Sequence, residues 1–256
     1  MHGHLFSELV VILNGSGKHV TKAESYPICR GDIFVLNGHA SHAFEDVSRL
    51  ELCNIMYDPD RLIQPHPDLY ADPGYRALFV IEPLYRETSQ FKGKLQLMGA
   101  DLDVVEALLG ALEREQEARL PGYQSLLSAY FMQLVVLLSR YYSAAPGRPT
   151  QAILRLADAL GYLEENYNRP LGLAELAARA NLSKNQFIRV FRKAFGTTPI
   201  DYLVHRRLQK ARELLENTSL SISQIAFDTG FTDSNYFSRR FRQETGKSPR
   251  DYRKQT

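Results

Sequence analysis

Four residues in the N-terminal half carry side chains that bind metal ions or hydrogen-bond small polar ligands. His2, His4 and Glu8 recur at even-numbered positions of one stretch, and His42 follows a second stretch of strand-forming residues. Alternate residues of a strand face the same side, so the first three would point into one interior. His42 can join them from a neighbouring strand.

Two kinds of site fit these four residues. Three imidazoles and one carboxylate suit a divalent metal such as Zn, Ni, Mn or Fe. The same groups would hydrogen-bond the hydroxyls of a small ligand inside an apolar barrel, with no cofactor required. A third interpretation is that His2 and His4 lie at a frayed terminus and contribute little. His19 and His39 are expected to face solvent.

The C-terminal part of the chain is a sequence duplication. Residues 173–203 are repeated by residues 222–253. The spacing between equivalent residues changes from 49 to 50 at Thr232 and Asp233, which indicates one extra residue in the second copy. The matched pairs are Ala177 and Ala226, Leu182 and Phe231, Phe191 and Phe241, Gly196 and Gly246, Pro199 and Pro249, and Tyr202 and Tyr252.

Each copy has the pattern of a short helix, a tight turn and a longer helix, which is the helix-turn-helix layout. The first copy predicts helices over 173–179 and from the cap Ser183 to about 194. The second predicts helices over 223–228 and from a cap at Thr232 or Asp233 to about 244. Residues 199–216 predict a connecting helix of roughly 25 Å. Such a rod can place two reading helices on one face of DNA.

Polar side chains outside the apolar faces of the two longer helices are suited to reading bases. Arg pairs with guanine, Asn and Gln pair with adenine, and Asp accepts a hydrogen bond from cytosine. The candidates are Lys184, Asn185, Gln186, Arg189, Asp233, Ser234, Asn235, Ser238 and Arg239. Arg206, Arg207, Lys210, Lys247 and Arg250 are expected to contact phosphates.

Charge and composition divide the chain in the same place. Residues 1–150 carry a net charge of −5, whereas residues 151–256 carry +7, which favours a polyanionic partner for the second part. No apolar run reaches membrane-span length, and no signal peptide is evident. The two cysteines, Cys29 and Cys53, are predicted to be reduced thiols of a cytosolic protein.

The N-terminal half predicts short strands over 2–57, with a hairpin turn at Asn14-Gly15 and strands over 32–36 and 49–57. This spacing favours a sandwich or a small barrel. Two helices follow, over 101–117 and 123–142; the second is apolar around most of its girth and is expected to be buried. The predicted domains are a ligand-sensing barrel over 1–85, a helical packing or dimerisation segment over 86–143, a linker over 144–150 and a DNA-binding domain over 151–256.

Residues 151–256 resemble the DNA-binding domain of the AraC/XylS family of bacterial transcription regulators. The resemblance rests on Ile225-Ala226, Gly230-Phe231, Tyr236-Phe237-Ser238, Phe241-Arg242, Gly246, Ser248-Pro249 and Tyr252-Arg253. The N-terminal half is similar to the cupin sensors of the sugar-responsive branch, through His2, His4, Glu8, Gly15, Pro27, Gly31-Asp32 and His42. The likeness to the rhamnose-regulator branch rests on His2-Gly3-His4, Phe6, Glu8-Leu9 and Ser234-Asn235.

The resemblance implies an α+β protein of two domains, a cupin-like β-barrel followed by an all-α domain with two helix-turn-helix motifs. It implies a cytoplasmic regulator, usually an activator, that binds promoter DNA as a homodimer, contacts RNA polymerase and is switched by a small sugar-like effector. It does not imply an enzyme. Two alternatives stay open: a metal-dependent cupin enzyme fused to a DNA-binding domain, and a constitutive architectural DNA binder.

Overall fold

The computed structural model describes residues 6–21, 25–37, 42–59, 67–84, 94–145 and 148–254. They form two compact units, Met1–Ala157 and Asp158–Thr256, and each is described by itself. The first unit contains a curled β-sheet followed by helices, and the described part of the second consists of helices joined by turns and loops. The predicted α+β fold with two domains is therefore confirmed.

One long strand organises the sheet of the first unit. This strand, β1 (Ser7–Thr21), pairs along one edge with β2 (Ser25–Cys29) and β3 (Asp32–Asn37). Along its other edge it pairs with β4 (His42–Tyr57), and β5 (Leu95–Gln96) extends the sheet beyond β3. Every pairing is antiparallel.

The hairpin predicted at Asn14-Gly15 is wrong, because β1 continues through both residues. Gly15 has φ +75, and a Cβ atom there would lie 2.1 Å from the carbonyl oxygen of Arg49. The register between β1 and β4 shifts on both sides of this point. A left-handed glycine suits a β-bulge as well as a tight turn, and a bulge bends the strand that contains it. The Asn-Gly pair therefore helps to curl the sheet.

The two faces of the sheet have different roles. The inner face is packed by a cluster of Val10, Ile12, Tyr26, Ile28, Phe34 and Leu36, with Phe44, Leu50 and Leu52 against it. Directly paired residues share a face, so Cys53, which pairs with Val11, lies on the other face. On that face, the rings of Tyr57 and Phe131 lie 5.0 Å apart and join the sheet to a helix.

The helices of the first unit begin with short segments, α1 (Pro67–Ala71) and α2 (Pro73–Tyr75), followed by a π-helical turn at Arg76–Ile81. Two long helices, α3 (Ala100–Ala118) and α4 (Tyr123–Ala144), match the predicted ones closely. The first two turns of α4 are largely exposed, with Leu126 at 45%, whereas Phe131 and Leu138 are buried. The prediction that α4 is buried is therefore correct only for its second half.

The predicted linker over 144–150 is also longer than the structure allows. Helix α4 ends at Ala144, and the next helix, α5 (Arg148–Glu165), begins at Arg148. The two units meet within α5 in sequence, between Ala157 and Asp158. Pro149 in the first turn of α5 is compatible with a helix, because the first residues of a helix need no backbone N–H donor.

The second unit contains the duplicated helices. They are α6 (Leu173–Arg179), α7 (Lys184–Phe195), α8 (Pro199–Asn217), α9 (Ile222–Asp228), α10 (Ser234–Thr245) and α11 (Pro249–Arg253). Ser183 and Asp233 are the N-caps of α7 and α10. These caps are 50 residues apart, whereas Leu182 and Phe231 are 49 apart, so the extra residue lies where the sequence predicts it.

The duplication extends to the packing of the aromatic cores. Centroids of Phe187 and Phe191 lie 5.6 Å apart, as do those of Phe237 and Phe241. The second ring of each pair meets a tyrosine edge-on, Phe191 with Tyr202 at 5.5 Å and Phe241 with Tyr252 at 5.4 Å. The two tyrosine hydroxyls donate to Glu164 and Glu216 at 2.7 and 2.8 Å. Two copies of one helix-turn-helix module therefore share the same internal contacts.

Candidate DNA interface and effector pocket

The turn in each module is held by an equivalent backbone hydrogen bond. Leu182 N–H donates to the carbonyl of Ala177 at 2.9 Å, and Phe231 N–H donates to the carbonyl of Ala226 at 2.9 Å. Both alanines are buried, and a small side chain there lets the two helices of a module approach closely. This geometry fixes the angle at which α7 and α10 leave their turns.

The outer face of α7 presents several candidate base-reading residues. Lys184, Asn185 and Arg189 are exposed, while Phe187 and Phe191 on the opposite side are fully buried. Among the described residues, no hydrogen bond or ion pair engages the side chains of those three exposed residues, so they are available to a ligand.

Gln186 already has a structural role. Its Oε1 accepts hydrogen bonds from Ser183 N at 3.1 Å and from Ser183 Oγ at 2.9 Å, and its own N–H donates to Ser183 Oγ at 3.3 Å. This is a capping box, which satisfies the backbone donors at the start of α7. The side-chain Nε2 remains as the donor that a base could use.

The start of α10 is arranged differently. Asp233 accepts a hydrogen bond from the N–H of Asn235 at 2.8 Å, and Ser238 Oγ donates to the carbonyl of Ser234 at 2.9 Å. Arg239 is exposed, as is Asn235, and the structure shows no partner for either side chain within its described part. On α10, Asn235 and Arg239 are thus the counterparts of Asn185 and Arg189.

Arg207 does not face solvent as a phosphate contact should, and that prediction is wrong. Its Nε donates to the carbonyl of Tyr167 at 2.6 Å, and Nη2 donates to the carbonyl of Arg169 at 2.8 Å. The guanidinium also lies 5.7 Å from the ring centroid of Phe231. Burial lowers the pKa of Arg207 below its ordinary value, which still leaves it charged at neutral pH.

In the first unit, the structure brings two of the four predicted pocket residues together. His42 Nε2 lies 3.8 Å from Glu8 Oε2, and Asn54 Nδ2 donates to the same oxygen at 2.8 Å. Asn54 was not predicted, although its place opposite Val10 puts it on the inner face. His2 and His4, and likewise His39, lie outside the described residues.

Glu8, His42 and Asn54 supply hydrogen-bonding groups on the inner face of the sheet. Asn54 donates to one acceptor position of Glu8 Oε2, which leaves the other acceptor positions of the carboxylate open to a ligand. No cluster of three or more His, Cys, Asp or Glu side chains suited to a metal occurs in the described residues. A divalent metal would need ligands from His2 and His4 in addition to Glu8 and His42.

His19 was expected to face solvent but is fully buried. Its ring lies 5.0 to 5.3 Å from those of Tyr26, Phe34, His42 and Phe44. His19 therefore lies on the inner face beside His42, packed among aromatic rings. The neighbouring Lys18 pairs with Asp46 at the surface. Because successive side chains of a strand point to opposite faces, His19 points inward.

A cavity of about 1240 Å³ lies between β4, α3 and α4, and we call it the β4–α3–α4 groove. Glu51, Cys53 and Ile55 line it from β4, and Leu109 and Glu113 line it from α3. Burial raises the pKa of the Cys53 thiol, with a further contribution from the charge of Glu113. Both cysteines are free thiols.

Comparison with known proteins identifies both halves of the chain. The family described as AraC-like ligand binding domain matches residues 1–135, and a helix-turn-helix domain family matches residues 176–255. The chain is 33% identical over 253 residues to the HTH-type transcriptional activator RhaR of Escherichia coli (strain K12), covering 98% of this chain and 86% of that protein. The RhaR of Shigella flexneri is 32% identical over the same coverage.

Among solved structures, the DNA-binding domain of AdpA in complex with a target DNA is 32% identical, covers 40% of this chain and 91% of its own, and has a TM-score of 0.39. An AraC-type regulator from Chromobacterium violaceum is 36% identical, with coverages of 40% and 90% and a TM-score of 0.37. Within the described ranges, each helix is too short or too polar to span a membrane. With an AraC-like ligand-binding region, a helix-turn-helix region and near-complete coverage by RhaR, the chain belongs to the AraC family of transcription regulators.

Proposed function

We propose that this protein activates transcription by binding promoter DNA through α7 and α10 in response to a small sugar-like effector held by its N-terminal unit. The observation that carries the DNA-binding part is the pair of equivalent helices with unengaged Asn and Arg side chains on their outer faces. The names of the relatives, transcriptional activators, support the sign of regulation.

All nine base-reading candidates would contribute to the contact with DNA. Lys184, Asn185, Arg189, Asn235 and Arg239 would reach base edges directly. Gln186, Asp233, Ser234 and Ser238 would combine contact with DNA and their local hydrogen bonds. Helix α8 has 19 residues, which corresponds to about 28 Å, and so it is long enough to place the two reading helices in successive turns of one groove.

The effector site is proposed on the inner face of the sheet, at Glu8 and His42, with Asn54 beside them and His2 and His4 completing the set. A carboxylate, an amide and an imidazole next to an apolar cluster suit a polyhydroxylated ligand, whose hydroxyls both donate and accept. A divalent metal at His2, His4, Glu8 and His42 is the alternative chemistry for the same residues.

The β4–α3–α4 groove is a second candidate for the effector site. It is favoured by its volume and by polar groups such as Glu51 and Glu113 beside apolar ones such as Leu109. Asn54 borders both candidate sites, whereas Glu8 belongs to the inner face and Glu113 to the groove. The two candidate sites can therefore be altered independently.

The segment 86–143 would mediate homodimerisation, since Val104, Leu120 and Leu126 expose 43%, 63% and 45% of their surface. The protein would act in the cytoplasm with RNA polymerase, and would carry out no catalysis. Domains are proposed as a ligand-binding barrel over 1–85 and a DNA-binding domain over 151–256.

The central test is footprinting of purified protein on DNA upstream of its own gene and neighbouring genes, with and without a panel of sugars. We expect a protected site that contains two direct repeats and an effector-dependent change in occupancy. Binding with no sequence preference would contradict the proposal. A preference unaffected by any sugar would favour a constitutive architectural DNA binder.

A further inference from the structure

One loop of the second unit contacts both helix-turn-helix modules. This loop, residues 166–172, joins α5 to α6 and so belongs to the entrance of the first module. Arg169 is paired with Glu175 of α6 at 2.7 Å and also donates to the hydroxyl of Tyr162. Tyr162 in turn donates to Glu175 at 2.5 Å. The loop is therefore fixed to the first module by a closed set of charged and polar contacts.

The opposite side of the same loop packs on the turn of the second module. Gly230, in that turn, has φ +89, and a Cβ atom there would lie 2.7 Å from the carbonyl oxygen of Tyr167 and 2.9 Å from Asn168. Only a glycine allows so close an approach of the two backbones. The first module and the turn of the second are thus in backbone contact at this point.

Arg207, on the connecting helix α8, holds this contact together. Its two donors reach the carbonyls of Tyr167 and Arg169, while its guanidinium lies beside the ring of Phe231, which is buried in the core of the second module. A guanidinium can satisfy two carbonyls with fixed geometry, whereas an ammonium group supplies one compact charge.

We propose that Arg207 is a positioning residue that sets the relative placement of α7 and α10, and thereby the spacing between the two DNA half-sites that the protein accepts. These contacts run from Glu175 through the loop and Arg207 to Phe231. They therefore link the two modules through the loop as well as through α8, which connects the modules only at its two ends. This inference rests on the proposed use of both modules on one DNA molecule.

Half-site spacing affects affinity because the two joined modules bind one DNA molecule with avidity. When two modules are rigidly joined, binding of the first raises the effective concentration of the second only at the matching half-site separation. A loosened joint would lower affinity for the matching DNA and raise relative tolerance of other separations. A general loss of stability would instead reduce binding to every DNA by the same factor.

The experiment measures Kd for the full-length protein on its footprinted site and on versions with insertions between the half-sites, up to about half a helical turn, ~5 bp. For the wild-type protein we expect at least about a tenfold preference for the natural spacing, and for Arg207→Ala a preference of roughly threefold or less. Arg207→Lys should fall between them, because lysine can retain one of the two carbonyl contacts.

Lys210→Ala is the matched control. Lys210 is one turn along α8 and pairs with Glu213 at 2.6 Å on the surface. Its removal can weaken binding through a lost phosphate contact, but by the same factor at all spacings. If Arg207→Ala does not fold, as judged by circular dichroism, Arg207→Lys and Gly230→Ala carry the test.

Three outcomes are decisive. The proposal is supported if Kd depends less on half-site spacing in the Arg207 variants than in the wild-type protein, while Lys210→Ala keeps the wild-type dependence. An unchanged spacing profile in folded Arg207→Lys and Gly230→Ala overturns it, even if affinity falls. A wild-type protein that binds equally at all spacings would contradict the two-module mode of DNA binding itself, and so would be recognised as a failure of the proposed function.

Discussion

Ser183 and Gln186 together cap the N-terminus of α7. The Ser183 hydroxyl accepts a hydrogen bond from the backbone N–H of Gln186, and the Gln186 side chain accepts one from the backbone N–H of Ser183 at 3.1 Å. Because the cap uses only the Oε1 atom of Gln186, its Nε2 can serve a base at the same time. One side chain can therefore set the start of α7 and contact DNA.

Gln186→Glu should separate these two roles. A glutamate keeps the accepting oxygen of the capping box and is favourable at a helix N-terminus, so the melting temperature should change little. It lacks the donor that adenine N7 requires and adds a negative charge near DNA, so affinity for the specific site should fall. Ser183→Ala is the converse variant, expected to cost about 1 kcal/mol of stability through the lost cap. If Gln186→Glu binds as wild type does, Gln186 is a cap only.

The four arginine and asparagine candidates can be tested as equivalents in the two modules. Arg189→Ala and Arg239→Ala should each weaken specific binding by roughly 1–3 kcal/mol and relax preference at one base pair. Competition with randomised DNA at single positions measures that preference. The two variants should relax positions in different half-sites, because α7 and α10 belong to different modules. Equal losses on specific and random DNA would reassign these residues to phosphate contacts.

The second unit could be predicted closely because its signals are local. Caps such as Ser183 and Asp233 and the spacing of Phe187 and Phe191 are read from a few neighbouring residues. The observed helices α6 to α10 begin and end within about two residues of the predicted ones. The change of spacing at Thr232 and Asp233 also located the extra residue correctly.

The wrong predictions are of two kinds. Some residue types are compatible with two local structures, and some residues are oriented by partners that are distant in sequence. Asn14-Gly15 satisfies a hairpin and a bulge equally, and only the pairing of β1 with β4 selects the bulge. His19 follows several polar residues, and the bulges, which shift the register of β1, determine which way it faces. Arg207 resembled a surface cation because its partners, the carbonyls of Tyr167 and Arg169, are backbone groups that no sequence pattern reveals.

Phe241 and Phe227 provide a stability test of the second module. Phe241 is fully buried between Phe237 and Tyr252, so Phe241→Ala should destabilise the protein by about 3–5 kcal/mol. Phe227, on α9, is 55% exposed, and Phe227→Ala should stay within about 0.5 kcal/mol of wild type. Denaturant unfolding monitored by circular dichroism measures both. A small effect of Phe241→Ala would contradict the duplicated core.

A pair of glutamates distinguishes the two candidate effector sites. Glu8 lies with Asn54 and His42 on the inner face of the sheet, whereas Glu113 of α3 lines the β4–α3–α4 groove. A bound effector should raise the melting temperature according to its concentration relative to Kd. If the inner face is the site, Glu8→Gln should abolish the shift and Glu113→Gln should keep it, and the reverse holds for the groove.

Cys53 reports on the same question without a mutation. Its thiol lines the groove, and burial raises its pKa, so labelling by a neutral maleimide should be slow at neutral pH and faster as pH rises toward the thiol pKa. Peptide mass spectrometry separates Cys53 from Cys29, which lies outside the groove and serves as the internal control. A sugar on the inner face should leave the labelling rate of Cys53 unchanged, whereas a sugar in the groove should slow it. Slower labelling of Cys53, combined with the loss of the thermal shift in Glu113→Gln, would indicate that the effector binds in the groove.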